Sequence, residues 1–303
     1  MSAARRVTLL AVDLGGTKLE AALVDADGRI VPGSRARAAT GRDTTPERLT
    51  ELLADTIGRA RASSPLPVRA AGIGSAGPIE IDEGRIHPVN LPLLAGFPLR
   101  DTVRALVAPA PVELALDGQC IALAESRFGA GSGGCSMLGM VVSTGVGGGL
   151  VIDGRLVRGR TGNAGHVGQL HTSRADENGA VLTVEETASG PASVAWARAK
   201  GWPGSTGEEL ALGWARGEPI PREAVLRSAR AVGELVAEVW TLTDLDLVVI
   251  GGGFSRVAPE YPELVARAAA DHAELPYARS PRVVRAALGD EAPLVGAAAL
   301  VLG

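Results

Sequence analysis

Two stretches of the chain carry the same order of apolar and polar positions. "RVTLLAVDLGGTKLEAALVDADGRIV" is a β-branched run, a carboxylate, two glycines, a second apolar run and an Asp-Gly turn, which predicts two antiparallel strands joined by a glycine turn. "MLGMVVSTGVGGGLVIDGRLVRG" repeats the plan, with a Ser-Thr-Gly turn between its apolar runs and a second Asp-Gly hairpin signal. A third apolar run, "LDLVVIGGGFS", ends at Gly251, Gly252 and Gly253. Those three read equally as a close approach to a flat base and as a strand-to-helix turn. Between these devices the apolar period is helical. "TTPERLTELLADTIGRARAS" has a Thr cap and an early Pro, and "GQCIALAESRFGAG" ends at glycine. "PREAVLRSARAVGELVAEVWTLTD" turns Leu226, Val232, Leu235, Val236 and Val239 inward, and "PELVARAAADHAEL" and "APLVGAAALVLG" are further helices. Strand clusters alternating with helices predict an α/β protein of two similar layered domains.

Composition narrows the class. The 303 residues hold two ordinary domains or one large one, and 46% hydrophobic against 21% charged residues reads as globular. Aromatics are only 3%, so Ala, Val and Leu must build the cores. A net charge of −4 without a basic block argues against a nucleic-acid surface. No apolar run approaches a membrane span, and the start from Met1 to Arg6 is too short for a signal peptide. Cys120 and Cys135 lack a CxxC pattern and read as small buried residues in a reducing, cytoplasmic setting. The four histidines lack the HExxH spacing of a helical zinc site.

Glycine lets a backbone approach an anion, and successive turn N–H groups form a concavity that favours phosphate. One such turn is weak evidence, since most only reverse the chain. Two at equivalent places in two halves predict an internal duplication with phosphates held between the halves. Neither turn is a GxxxxGK[ST] loop, and "GVGGG" lacks the GxGxxG spacing of a dinucleotide fingerprint.

Together with "GIGSAGPIE", "NLP" and "LGDEAPLVGAAAL", these segments resemble the ROK family (repressors, open reading frames, kinases), in family order and over nearly the whole chain. The resemblance implies an α/β, two-lobed actin-like (RNase H-like) ATPase and sugar-kinase fold with its active site in the cleft. The expected lobes are residues 1–116 plus 289–303, with the first phosphate motif, and 117–288, with the second phosphate and adenosine motifs. ATP is the implied cofactor, and Mg2+ on its phosphates. Gly15, Gly16, Thr17, Lys18, Thr144, Gly145 and Gly147 would face the phosphates, and Gly251, Gly252 and Gly253 the adenosine. Asp13 would orient the metal or its water. Asp117, in "VELALDGQC", matches the family's general base, although Asp between a strand and a helix is more commonly an N-cap. Dimers are frequent in the family; the chain itself does not decide this point.

The acceptor loop departs from the family's glucose-phosphorylating pattern, Ala-Gly-Glu-x-Gly-His. In "TGNAGHVGQLH", His166 stands where the sugar-binding glutamate is expected, and Gln169 replaces a sugar- and zinc-binding histidine. The family's zinc loop is absent, so no structural zinc is expected. Glu185 occupies the place of the next sugar-binding glutamate, Asn90 is a candidate substrate hydrogen-bonder, and His171 reads as a loop residue. Leu116 and Gln119 replace two asparagines around the base. Each lost carboxylate-to-hydroxyl contact is worth about 1.5–3 kcal/mol, which disfavours glucose. Intact phosphate turns and Asp117 argue against a non-catalytic sensor. The expectation is therefore a small polyol or sugar acceptor phosphorylated at its primary alcohol. A C7-cyclitol with a ring ketone, to which His166 and Gln169 donate, is the first choice; glucose, another hexose or an N-acetylhexosamine is the alternative. A repressor is not expected, because "DLGG" begins at Asp13 and leaves no room for a DNA-binding helix-turn-helix.

Overall fold

The apolar run before the first glycine pair forms β1 (Thr8–Leu14), and the run after it forms β2 (Lys18–Val24). The computed structural model describes residues 8–172 and 179–302. β1 is buried at every position because both its faces are covered. Leu10, Val12 and Leu14 pack with Leu49, Leu53 and Ile57 of α1 (Pro46–Ala62), while Leu9 and Ala11 pack with Leu294, Ala297 and Ala298 of α9 (Ala292–Ala299). As expected, Thr45 caps α1 through the Arg48 N–H.

β3 (Ala36–Ala39), β4 (Val68–Ser75) and β7 (Val112–Leu116) complete a sheet in the order β3-β2-β1-β4-β7. Its first three strands are antiparallel, and β4 and β7 run parallel to β1. The second sheet is β10-β9-β8-β11-β12, from β8 (Met137–Val142), β9 (Val146–Ile152), β10 (Arg155–Leu156), β11 (Leu247–Gly251) and β12 (Val283–Arg285). Order and polarity repeat those of the first sheet. The duplication read from two glycine turns is therefore a duplication of the whole sheet. A separate two-stranded ribbon joins β5 (Ile79–Glu80) to β6 (Arg85–Ile86).

Leu138, Met140 and Val142 of β8 face α7 (Pro219–Thr243), whereas Met137 and Ala122 share the core beneath α3 (Asp117–Phe128). Of the five residues expected on the inner side of α7, Leu226 is only half-buried; neighbouring Val225 takes its place. α8 (Tyr261–His272) packs beside α7. Four helices escaped the sequence reading: α2 (Leu99–Val107), α4 (Val184–Ala188), α5 (Gly190–Ala199) and α6 (Gly207–Arg216). They are short, and glycine sits at or beside several of their ends, so few helical periods accumulate. Both cysteines are free; Cys120 is buried, but Cys135 is half-exposed. Among the described residues no helix is long and apolar enough to cross a membrane.

α3 lies on α9. A Cβ on Gly296 would stand 1.8 Å from the Cys120 carbonyl oxygen, and one on Gly72 would stand 1.7 Å from that of Ala297. Glycine is required at both positions by backbone contact. Near this junction the Gly77 Cβ position meets both Leu116, at the end of β7, and His166 of the acceptor loop.

Candidate active site

The first turn is closed by the Gly15 N–H donating to the Lys18 carbonyl at 2.9 Å. Asn90 packs on it: its Cβ lies 3.1 Å from where a Gly16 Cβ would stand. The first glycine turn and the "NLP" loop thus form one surface, and Thr17 is exposed. Lys18 pairs with Glu20, which also holds Arg35 at 2.9 Å and Arg37 at 3.3 Å. Burial pushes the Glu20 carboxyl up, but the hydrogen bonds from Arg35 and Lys18 outweigh it and hold Glu20 below its ordinary value.

Asp13, at the end of β1, is 4% exposed, with Lys18 Nζ at 4.0 Å. Burial, then the negative charge of Asp117, raises its carboxyl to about 7; Lys18 opposes the shift. Asp117 follows β7 as the first residue of α3, whose N-cap position is Leu116. Its Oδ1 accepts the Gly118 N–H at 2.7 Å. Burial raises the Asp117 carboxyl, while that N–H and His166 act in the opposite direction. Cys120 lies beneath, its thiol raised by burial and by the two aspartates. Two carboxylates thus converge with little compensating positive charge, a setting suited to one proton acceptor and one divalent cation. Among the described residues no group of three or more His, Cys, Asp or Glu could hold a metal alone. The expected zinc-loop region includes residues 173–178, which lie outside the described residues.

At the second turn the Ser143 N–H donates to the Gly145 carbonyl, and Thr144 is exposed. The Val146 N–H donates to Glu185 Oε2 at 2.8 Å, and a Gly145 Cβ would meet that oxygen at 2.6 Å. Glu185 therefore braces the second glycine turn. Nothing lies within 4 Å of the Gly147 Cβ position, which leaves open space at that strand.

A cavity of about 610 Å3 opens beside this turn, lined by Thr144, Val194, Gly207, Gly253 and Phe254 among others. A second, of about 190 Å3, includes Lys18, Ser143, Gly251, Gly252 and Arg256. Ser143, Gly253 and Arg256 line both, making a trough from the first glycine turn to α5 and α6. The sequence reading found its glycines but not its helical wall. The capping pair Thr206 and Glu209 was the available signal for α6. Of the three glycines left open above, Gly252 serves the turn, with φ +95° and a Cβ position 2.4 Å from the Val142 carbonyl oxygen. All three line the trough.

The acceptor loop differs most from expectation. Leu116 is buried, its Cδ2 2.4 Å from the Gly77 Cβ position, so it floors the cleft rather than standing in it. Gln119 is fully buried and donates to the carbonyls of Gly162 and Ala164 at 3.1 and 2.8 Å. Gln169 is exposed and its amide lies 3.4 Å from Glu185 Oε1. The donor role expected of His166 needs a ring N–H facing the cleft, yet Nδ1 lies 2.9 Å from the Asn163 carbonyl. The neutral ring then keeps an unprotonated Nε2, an acceptor. Gln169 donates one amide hydrogen to Glu185 and keeps the other. A ketone acceptor thus loses the donor expected of the neutral His166. His171 is exposed and bridges to Thr183 outside this group.

A sequence model of the ROK family matches residues 9–303. An N-acetylmannosamine kinase of Escherichia coli O7:K1 is 36% identical over 98% of this chain and 99% of its own length. That of Salmonella typhimurium is 37% identical over the same shares. The crystal structure of a ROK hexokinase from Thermus thermophilus superposes with a TM-score of 0.83 at 34% identity, covering 97% of each chain. A ROK family glucokinase from Streptomyces griseus, in complex with glucose and AMPPNP, superposes with a TM-score of 0.80 at 28% identity, covering 97% of this chain and 98% of its own.

Proposed function

We propose that this chain, which belongs to the ROK family of sugar kinases, transfers the γ-phosphoryl group of ATP to the primary hydroxyl of a hexose-type sugar, with N-acetylmannosamine the first candidate acceptor. The observation that carries the reading is the position of Asp117. It begins α3 at the end of β7, acts electrostatically on Asp13 at the end of β1 and faces His166 of the acceptor loop, with a carboxyl made more basic by burial. The relatives named for N-acetylmannosamine support the choice of acceptor. The lobes in this reading are residues 1–116 with 289–303, and 117–288, in a cytoplasmic protein.

In the reaction, Asp117 accepts the hydroxyl proton as the sugar oxygen bonds to the γ-phosphorus. The bridging bond to the β-phosphate breaks, and its electron pair leaves with ADP. The N–H groups of the two turns and Lys18 receive the phosphate charge. Asp13 is the residue that would hold Mg2+, directly or through water; when bound, the cation offsets charge on the phosphate oxygens.

A C7-cyclitol, the acceptor class expected first from the sequence, is retained as an arm of the test. The test is an ATP and Mg2+ assay against hexoses, N-acetylhexosamines and C7-cyclitols, with the phosphorylated position read by NMR. The highest kcat/KM is expected for an N-acetylhexosamine phosphorylated at its CH2OH. Preferred turnover of a cyclitol would move the acceptor class, and no turnover of any polyol would overturn the kinase reading.

A further inference from the structure

The segment from Thr161 to His166 is moored on two sides. Asn163 lies along the backbone of Ile79: its Oδ1 accepts the Ile79 N–H at 2.8 Å, and its Nδ2 donates to the Ile79 carbonyl at 2.7 Å. The Ile81 N–H donates to the Thr161 carbonyl at 3.2 Å. From the opposite side Gln119 takes the carbonyls of Gly162 and Ala164. The loop is thereby fixed both to the β5 ribbon and to the helix that begins with Asp117.

The same Asn163 also contacts His166, through its main-chain carbonyl at 2.9 Å from Nδ1. A carbonyl only accepts, so Nδ1 carries the ring proton and the neutral imidazole keeps a lone pair on Nε2. Among the described residues no protein donor meets Nε2. It lies 3.3 Å from the Gly77 Cβ position, which Leu116, the residue before Asp117, also meets. The half-buried ring thus turns an acceptor atom toward the side of Gly77 and Leu116, where a donor from outside the protein can reach it. A sugar hydroxyl supplies one. A ketone does not, since it would set lone pair against lone pair.

We propose that Asn163 is a positioning residue that holds His166 as a hydrogen-bond acceptor for one hydroxyl of the bound sugar. This rests on the kinase reading above and makes His166 a selector for acceptors that carry a hydroxyl at that place. The neutral hydrogen bond is worth roughly tenfold in sugar KM. The amide of His166→Gln reaches the place of Nε2, whereas that of His166→Asn reaches the place of Nδ1.

Three measurements test it. Steady-state kinetics of His166→Gln should stay within about threefold of wild type, while His166→Ala and His166→Asn raise sugar KM roughly tenfold and leave ATP KM unchanged. Asn163→Asp, which sets a carboxylate against the Ile79 carbonyl, should raise sugar KM likewise and leave ATP KM unchanged. Histidine 15N NMR of the unliganded protein should show Nδ1–H, with Nε2 shifting when the sugar is added. A sugar KM for His166→Ala within twofold of wild type, or equal rescue by Asn and Gln, overturns the proposal. So does an Nε2–H tautomer, or an Asn163→Asp that raises both KM values together. If wild type phosphorylates no sugar, the kinase reading fails by itself, and the NMR tautomer and titration with the sugar still decide the role of His166.

Discussion

Gly165 lies against Gly148: a Cβ on Gly165 would stand 2.6 Å from the Gly148 carbonyl oxygen, at a φ of +104°. The acceptor loop rests directly on the glycine strand of the second phosphate turn, backbone on backbone. Gly165→Ala should cost about 2–4 kcal/mol, combining backbone strain with displacement of β9. The check is thermal unfolding beside Gly154→Ala, whose positive φ of +72° has open space around it and which should lose less.

Gly147 makes the opposite case, because nothing lies near its Cβ position. Gly147→Ala is expected to leave the unfolding temperature close to wild type while weakening ATP, as the methyl enters space kept for phosphate. Isothermal titration with a non-hydrolysable ATP analogue separates the two effects. Unchanged affinity would count against a phosphate role for this glycine.

Asp117→Asn should lower kcat by at least about a hundredfold with nucleotide affinity retained. The wild-type pH profile has a determined sign. Asp117 accepts a proton only as carboxylate, and burial raises its pKa above the ordinary 3.8, so kcat/KM falls as pH drops through the raised value. An acid limb centred at or below 3.8 would contradict this role.

Asp13→Asn is expected to stabilise the ligand-free protein at neutral pH and to abolish the response to Mg2+. The Asp13 carboxyl titrates near 7 in the fold against 3.8 when unfolded. The native state thus binds the extra proton between these values, and stability falls as pH rises from about 4 to about 7. The asparagine variant lacks this loss, gaining roughly 2–4 kcal/mol at pH 8 and little at pH 4. Denaturant unfolding at the two pH values measures the difference.

Glu125 is fully buried and accepts three backbone N–H groups, from Ala130 at 2.9 Å, Ala287 at 3.1 Å and Leu288 at 2.8 Å. It ties the end of α3 to the segment entering α9, so one carboxylate joins both places where the chain passes between the sheets. Glu125→Gln turns an amide NH2 toward at least one of these donors and should cost about 2–4 kcal/mol. Chemical denaturation reads the loss, and hydrogen exchange at Ala287 and Leu288 should rise with it.

The family, the paired glycine turns and the place of Asp117 were legible in the sequence because each follows from local order. A strand, a turn and a strand need only neighbours along the chain, and the near-continuous apolar run of β1 or β8 already encodes two covered faces. The short helices α4, α5 and α6 were not legible, since too few periods separate their glycines and caps. Their role as the trough wall depends on where the second sheet places them.

What the sequence by itself determined is the chemistry available: two phosphate turns, a candidate base and a loop with altered polar letters. Only the tertiary structure decided what those letters do. Gln119 became a buried brace, Glu185 a support for the second turn, and Leu116 the floor under Gly77. His166 acquired its direction from a carbonyl three residues away. The reason is physical: a side chain's identity fixes what it can donate or accept, but only its partners in space determine which of those capacities is left for a substrate.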